Sequence, residues 1–234
     1  MNTALALVAC LAPLPLSVVL VGVINRVKSR WSGRKGPPIL QSAFDVVRLL
    51  RKGSVYSTTT TFVFRLAPYV VLVTAVTSSL VAPVLGSHAL VSFPFDFVVF
   101  AYLWGLGRVA LMLGGLDTGS SFEGMGASRE ATYSALLEPT LFLVAGALCL
   151  STGERTLQGA LHLPLDAGPS LVVWAASIVA LTIVVQVESA RIPVDDPATH
   201  LELTMIHEVM ILDHSGPELA ALQIASTIKL GVGI

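Results

Sequence analysis

The sequence predicts an all-α, multi-pass transmembrane helical bundle of about six spans, and three observations carry that prediction. Hydrophobic residues make up 54% of the 234 and charged residues only 12%, with a mean hydropathy of +0.79, which is too apolar for the surface of a water-soluble domain. The apolar residues gather in runs close to the roughly 20 residues that a helix needs to cross a bilayer core. None of the runs alternates with the period of two of a barrel strand, so each must satisfy its own backbone hydrogen bonds as a helix.

Taken in order, the candidate spans are 4–24, 62–85, 95–116, 133–150, 170–187 and 219–234. The first could be mistaken for a secretory signal. No basic segment precedes it, however, and a basic cluster follows it in place of a small-residue cleavage site, so a retained span is expected. Eight of the fourteen Lys and Arg residues fall between Arg26 and Lys52. That bias places the loop on the cytoplasmic side and the N-terminus outside. Alternation then gives a single integral-membrane domain with cytoplasmic loops at about 25–61, 117–132 and 188–218, while the outer connections, 86–94 and 151–169, contain a single Lys or Arg residue, Arg155. A prokaryotic cytoplasmic (inner) membrane is the expected location, and a net charge of −1 gives no basic surface for nucleic acid.

Within the spans, Pro13, Pro15, Pro68 and Pro83 should kink or end helices, and Gly105, Gly107, Gly114 and Gly115 should let helices approach closely. Cys10 and Cys149 lie in separate apolar runs without a CxxC partner, so neither zinc nor an iron–sulfur cluster is expected in this chain.

In the first cytoplasmic loop, Gly36-Pro37-Pro38 breaks the chain before ILQSAFDVVRLLRK. Its apolar residues Leu40, Phe44, Val47 and Leu50 recur at helical spacing, opposite Asp45, Arg48, Arg51 and Lys52. This predicts an amphipathic helix at the membrane surface, either an anchor on anionic headgroups or one wall of a site shared with a partner. The Gly- and Ser-rich segment 117–132 is read as a true loop carrying Glu123, Arg129 and Glu130. Glu138 sits inside the fourth span, as part of a proton path or in a structural pair, for example with Arg129.

The strongest signal is residues 188–218, ESARIPVDDPATHLELTMIHEVMILDHSGPE, which hold seven of the fifteen acidic residues and three of the five histidines. Such a concentration needs water, a partner or mutual pairing. A helix from about Pro197 would put His200, Thr204, His207 and Glu208 on one face and Leu201, Met205, Ile206 and Val209 on the other. The two histidines lie about two turns apart, roughly 10 Å along a helix axis, too far to share an ion. HExxH spacing is absent, and no metal is expected. What remains is a solvated amphipathic helix or a docking and proton-handling surface. Arg191 is the only basic residue between Arg155 and Lys229 and is expected to pair with Glu188, Asp195 or Asp196.

Three stretches, RKGPPILQSAFDVVRLLRK, LDTGSSFEGMGASREATYSALLEP and the one at 188–217, together resemble the membrane subunit of group 4 nickel–iron hydrogenases, the formate hydrogenlyase subunit 4 or hydrogenase-4 component C type. That type is similar to the quinone-chamber subunit of respiratory complex I. The family pattern carries further spans beyond the sixth. The resemblance implies a subunit with no catalytic residue or redox centre of its own, which anchors the hydrogenase large and small subunits and antiporter-like membrane subunits in the bilayer and couples electron transfer to proton or ion movement. The nickel–iron centre and iron–sulfur clusters would belong to the partners. By position, Glu188, Arg191, Asp195, Asp196, Glu202 and Glu208 would face the cluster-bearing subunit, with His200 and His207 beside them, and Glu123, Glu130 and Glu138 would lead into the membrane. Two other functions compete. One is the quinone chamber of a complex I-like NADH:quinone oxidoreductase. The other is a secondary transporter, against which no half-and-half repeat is visible.

Overall fold

A computed structural model describes residues 13–83, 89–163, 168–189, 194–195 and 205–233. Among them the structure is entirely helical: α1 (Pro13–Trp31), α2 (Gln41–Leu50), α3 (Phe62–Val81), α4 (Asp96–Asp117), α5 (Ser121–Thr152), α6 (Leu157–Leu161), α7 (Pro169–Glu188), α8 (His207–Met210) and α9 (Gly216–Val232). Four of these, α3, α4, α5 and α7, are long and apolar enough to cross a membrane. The two outer runs differ from the expected spans for stated reasons. Described α1 continues past the apolar run into Arg26, Lys28 and Arg30, and α9 covers 17 residues. The chain is a membrane protein whose helices carry apolar residues on their outer faces, such as Val73, Leu106, Leu143 and Val179.

The packing follows from small residues placed on helical stripes. Helix α3 buries Phe64, Ala67, Val71, Thr74, Ala75 and Ser78, and α4 buries Ala101, Trp104, Gly107, Arg108, Leu111 and Gly114. An added Cβ would lie 2.8 Å from Thr74 Oγ1 at Gly107 and 2.8 Å from Ala67 Cβ at Gly114, so only glycine allows this separation. From this closest pair the bundle runs α3–α4–α5–α7 on one side and α3–α9–α1 on the other, with α7 touching α9 to close a ring. Pro68 lies within α3, and Pro83 follows its end.

One expected loop is helical. Residues 121–132 form the first three turns of α5, although their glycines and serines read as a turn. Gly126 serves packing there, because an added Cβ would be 3.0 Å from both the Ile206 carbonyl oxygen and Met210 Cγ. Tertiary contact with α8 thus outweighs weak local helix propensity. Helix α2 forms as the amphipathic pattern predicts. It buries none of its residues against the chain, and Leu40, Phe44, Val47 and Leu50 stay exposed.

Candidate functional site: a buried charge cluster beneath a polar end

The interior of the ring is ionic. Arg108 projects from α4, Glu188 ends α7 and Lys229 comes from α9, with side chains only 5%, 2% and 9% exposed. Lys229 Nζ donates to Glu188 Oε1 at 2.7 Å, and Arg108 Nε lies 3.3 Å from Glu188 Oε2. Arg108 also donates through Nη1 to Ser134 Oγ at 3.3 Å and through Nη2 to Glu138 Oε1 at 3.4 Å. Glu130, half-buried on α5, shares a small cavity with Arg108, Glu188 and Lys229. Three carboxyls therefore meet two cations in surroundings of low polarity, where each ion depends on its partner.

This geometry changes how several sequence-predicted residues are understood. Glu188 is not at a wet surface, because α7 ends inside the bundle at the level of Arg108. Glu138 pairs with Arg108; Arg129 cannot be its partner, because nine residues of continuous helix separate them by about 13 Å. Arg129 instead donates to the Met205 carbonyl at 3.0 Å. Arg108 and Lys229 were missed as site residues, yet each is the only basic residue in its apolar run, which is signal enough. Among the described residues Glu188 meets these two cations; its expected partner Arg191 lies outside them, as do Asp196, His200 and Glu202.

A second polar region closes one end of the ring. Asp117 accepts from Thr61 N at 2.7 Å, Thr61 Oγ1 at 2.8 Å and Phe64 N at 3.2 Å, so the end of α4 caps the start of α3. Glu218 accepts from Ser54 and from Tyr56, whose ring carries Arg65 at 4.3 Å. Gly216, at φ +56, brings its backbone against Gly53, where a Cβ would be 2.8 Å from the carbonyl oxygen. Glu123 is buried and accepts from Asp213 N at 3.2 Å, tying α5 to the turn before α9. Asp195, also buried, accepts from His207 N at 3.0 Å. His214 is buried in the same turn. Burial pushes its imidazole down to about 4, with the Glu218 charge acting in the opposite sense. For Glu218, burial pulls upward, but the bonds from Ser54 and Tyr56 outweigh it and hold the carboxyl below its usual range.

His207 is half-buried and Glu208 exposed, while Met205, Ile206 and Val209 are buried. His207 and Glu208 line a cavity of about 580 Å³ between α1, α2, α8 and α9. Asn25, Gln41, Asp45 and Gln223 give it polar walls, and its volume is in the range of small-molecule sites. Among the described residues no three His, Cys, Asp or Glu side chains converge as metal ligands.

A ring of apolar helices around paired charges defines a polytopic membrane protein with an ionic interior. The chain belongs to the NADH dehydrogenase family, of the complex I subunit 1 type, whose profile matches residues 4–233. It is 29% identical over 236 residues to formate hydrogenlyase subunit 4 of Escherichia coli (strain K12), covering 98% of this chain and 74% of that protein. Identity to hydrogenase-4 component C of the same organism is 29% over 215 residues, covering 92% of this chain and 67% of the relative. Among solved structures, a chain of the membrane-bound sulfane sulfur reductase, an archaeal respiratory membrane complex, superposes with a TM-score of 0.77 at 18% identity, over 97% of this chain and 74% of that one. At that identity the likeness speaks for the fold alone.

Proposed function

We propose that this chain is the membrane-anchoring and ion-coupling subunit of a multi-subunit membrane-bound hydrogenase, of the formate hydrogenlyase-like or energy-converting type. The observation that carries the reading is Glu188, a carboxylate buried between Arg108 and Lys229 within the ring. Ionisable groups at such depth are costly and by default functional. Three carboxyls against two cations leave one carboxyl able to take up and release a proton without stranding an ion. The hydrogenase names of the relatives support the class.

In this reading the end built from 51–61, 117–123 and 205–218 faces the cytoplasm and receives the hydrogenase large and small subunits, which carry the nickel–iron centre and iron–sulfur clusters. Antiporter-like membrane subunits continue the ion path past Glu138, whose side chain is 44% exposed at the bundle surface. The membrane is the prokaryotic inner membrane, with the N-terminus outside. Arg191, Asp196, His200 and Glu202, outside the described residues, are assigned from the sequence to subunit docking or the proton path, and Asp195 and Glu123 brace the described part of this end.

The test is Glu188→Gln in the complex purified from membranes. The amide keeps the shape and cannot ionise, so partner subunits should co-purify at wild-type yield while ion movement per turnover falls at least tenfold. Undiminished coupled movement would remove the basis of the proposal.

The cavity of about 580 Å³ favours a second reading, a quinone headgroup held beside His207 and Asp45. Quinone-site inhibitors would then stop turnover; hydrogen-linked turnover that ignores them supports the first reading.

A further inference from the structure

Against the charge cluster lies a separate cavity of about 20 Å³, whose walls include Arg108, Glu130, Glu188, Lys229, His207 and Ser226. That volume accommodates one water molecule. A buried water needs two to four polar partners, and this lining supplies them. Arg108, 4% exposed, faces Glu188 with its Nε–H, but the pair lacks hydrogen-bond geometry, and that Nε has no acceptor among the described residues. Glu130 offers carboxyl oxygens, and Ser226 a hydroxyl that both donates and accepts.

The position of this small cavity is as informative as its lining. His207 and Ser226 also line the 580 Å³ cavity, and they are the two residues common to both. They form a wall with the open polar chamber on one side and the ionic interior on the other. His207 is held in this wall through its backbone N–H, which donates to buried Asp195.

We propose that the small cavity holds one ordered water bridging Arg108 Nε and the Glu130 carboxyl, and that His207, with Ser226, passes protons between the open chamber and that water. The inference deepens the coupling reading and rests on it. A neutral imidazole has one ring nitrogen that accepts and one that donates. It takes a proton from a hydronium ion in the chamber on the first, leaving water there, and gives up the proton of the second to the buried water. That water hands one of its own protons to the Glu130 carboxylate. His207 and the buried water end neutral, and the net change is one proton moved from the chamber hydronium to Glu130. Ring reorientation or tautomer exchange resets the imidazole. Ser226 orients the water by completing its hydrogen bonds.

The test uses the complete complex purified from membranes. Density maps fine enough to show ordered water should place one within hydrogen-bond distance of Arg108 Nε in the wild type and none in Ser226→Leu, whose side chain fills the space. Coupled proton movement should fall at least tenfold in Ser226→Leu and in His207→Phe, with partner subunits still bound. If Ser226→Leu blocks assembly, the wild-type map and His207→Phe decide the matter. A wild-type map without that water, or His207→Phe with wild-type coupling, overturns the proposal. Glu188→Gln separates the two levels. If it loses coupling while His207→Phe retains it, the relay alone fails; if both retain coupling, the coupling reading fails as well.

Discussion

The imidazole of His214 lies flat on the ring of Phe64, with centroids 3.9 Å apart and planes 8° from parallel. Burial favours the neutral ring and outweighs the opposing pull of the Glu218 charge, which is why its folded value falls from 6.5 to about 4. Between those limits an unfolded or opened chain binds a proton that the folded turn refuses, so stability is full above pH 6.5 and declines as pH drops towards 4. The loss is about 3 kcal/mol across the window. Thermal unfolding in detergent should show the decline, and His214→Phe should flatten it. An unchanged slope in the variant would assign the pH dependence to other groups.

Asp117 serves as a cap supplied by a neighbouring helix, with Thr61 N, Thr61 Oγ1 and Phe64 N all bonded to its carboxylate. Asp117→Ala leaves those donors to solvent and should cost roughly 1 to 2 kcal/mol. Amide hydrogen exchange at the start of α3 should speed up accordingly, while exchange at the α7 end stays as in the wild type.

The spacing of α3 and α4 depends on Gly114, which has Ala67 Cβ where its own Cβ would be. Gly114→Leu should force the pair apart and lower the melting temperature and the yield of folded protein. Gly124, in the first turn of α5 with open space around it, provides the comparison. Gly124→Ala should be neutral or add up to about 1 kcal/mol through helix propensity. Equal outcomes for the two variants would mean that close approach does not set the packing.

Arg108 holds Glu188 and Glu138 together, so its removal strands buried carboxylates. Arg108→Ala should destabilise the bundle by about 3 to 5 kcal/mol, and Arg108→Met with Glu188→Leu and Lys229→Met should recover much of that loss, because removing both cations with the carboxylate they share strands none of the three. Unfolding titrations of the single and triple variants measure both numbers. A single variant as stable as the wild type would contradict the pairing.

The proposed orientation has a direct test. Ser32 lies just past α1, and Glu154 just past α5 at the opposite end. With the basic loop inside, a membrane-impermeant thiol reagent applied to intact cells should label Glu154→Cys and miss Ser32→Cys. The reverse pattern would invert the proposed cytoplasmic face.

The sequence by itself determined the class, because hydropathy and run length act locally: a run of apolar residues must be a helix in lipid wherever it sits. The same locality made α2 legible from Leu40, Phe44, Val47 and Leu50, and the glycines of α4 from their spacing. It failed at 121–132, where a turn-like composition forms helix because Gly126 packs under Ile206 and Met210. It also ranked the charges by their neighbours along the chain, and so considered Arg129 for Glu138 and overlooked Arg108 and Lys229. Only the tertiary structure decided that Glu188 ends α7 between cations from α4 and α9, that Glu123 and Asp195 are buried braces, and that His207 and Ser226 separate two cavities. The physical reason is that a buried charge takes its partner from whichever helix the packing brings within about 4 Å, and residues 80 and 41 positions away, as Arg108 and Lys229 are from Glu188, carry no mark of that meeting in the linear order.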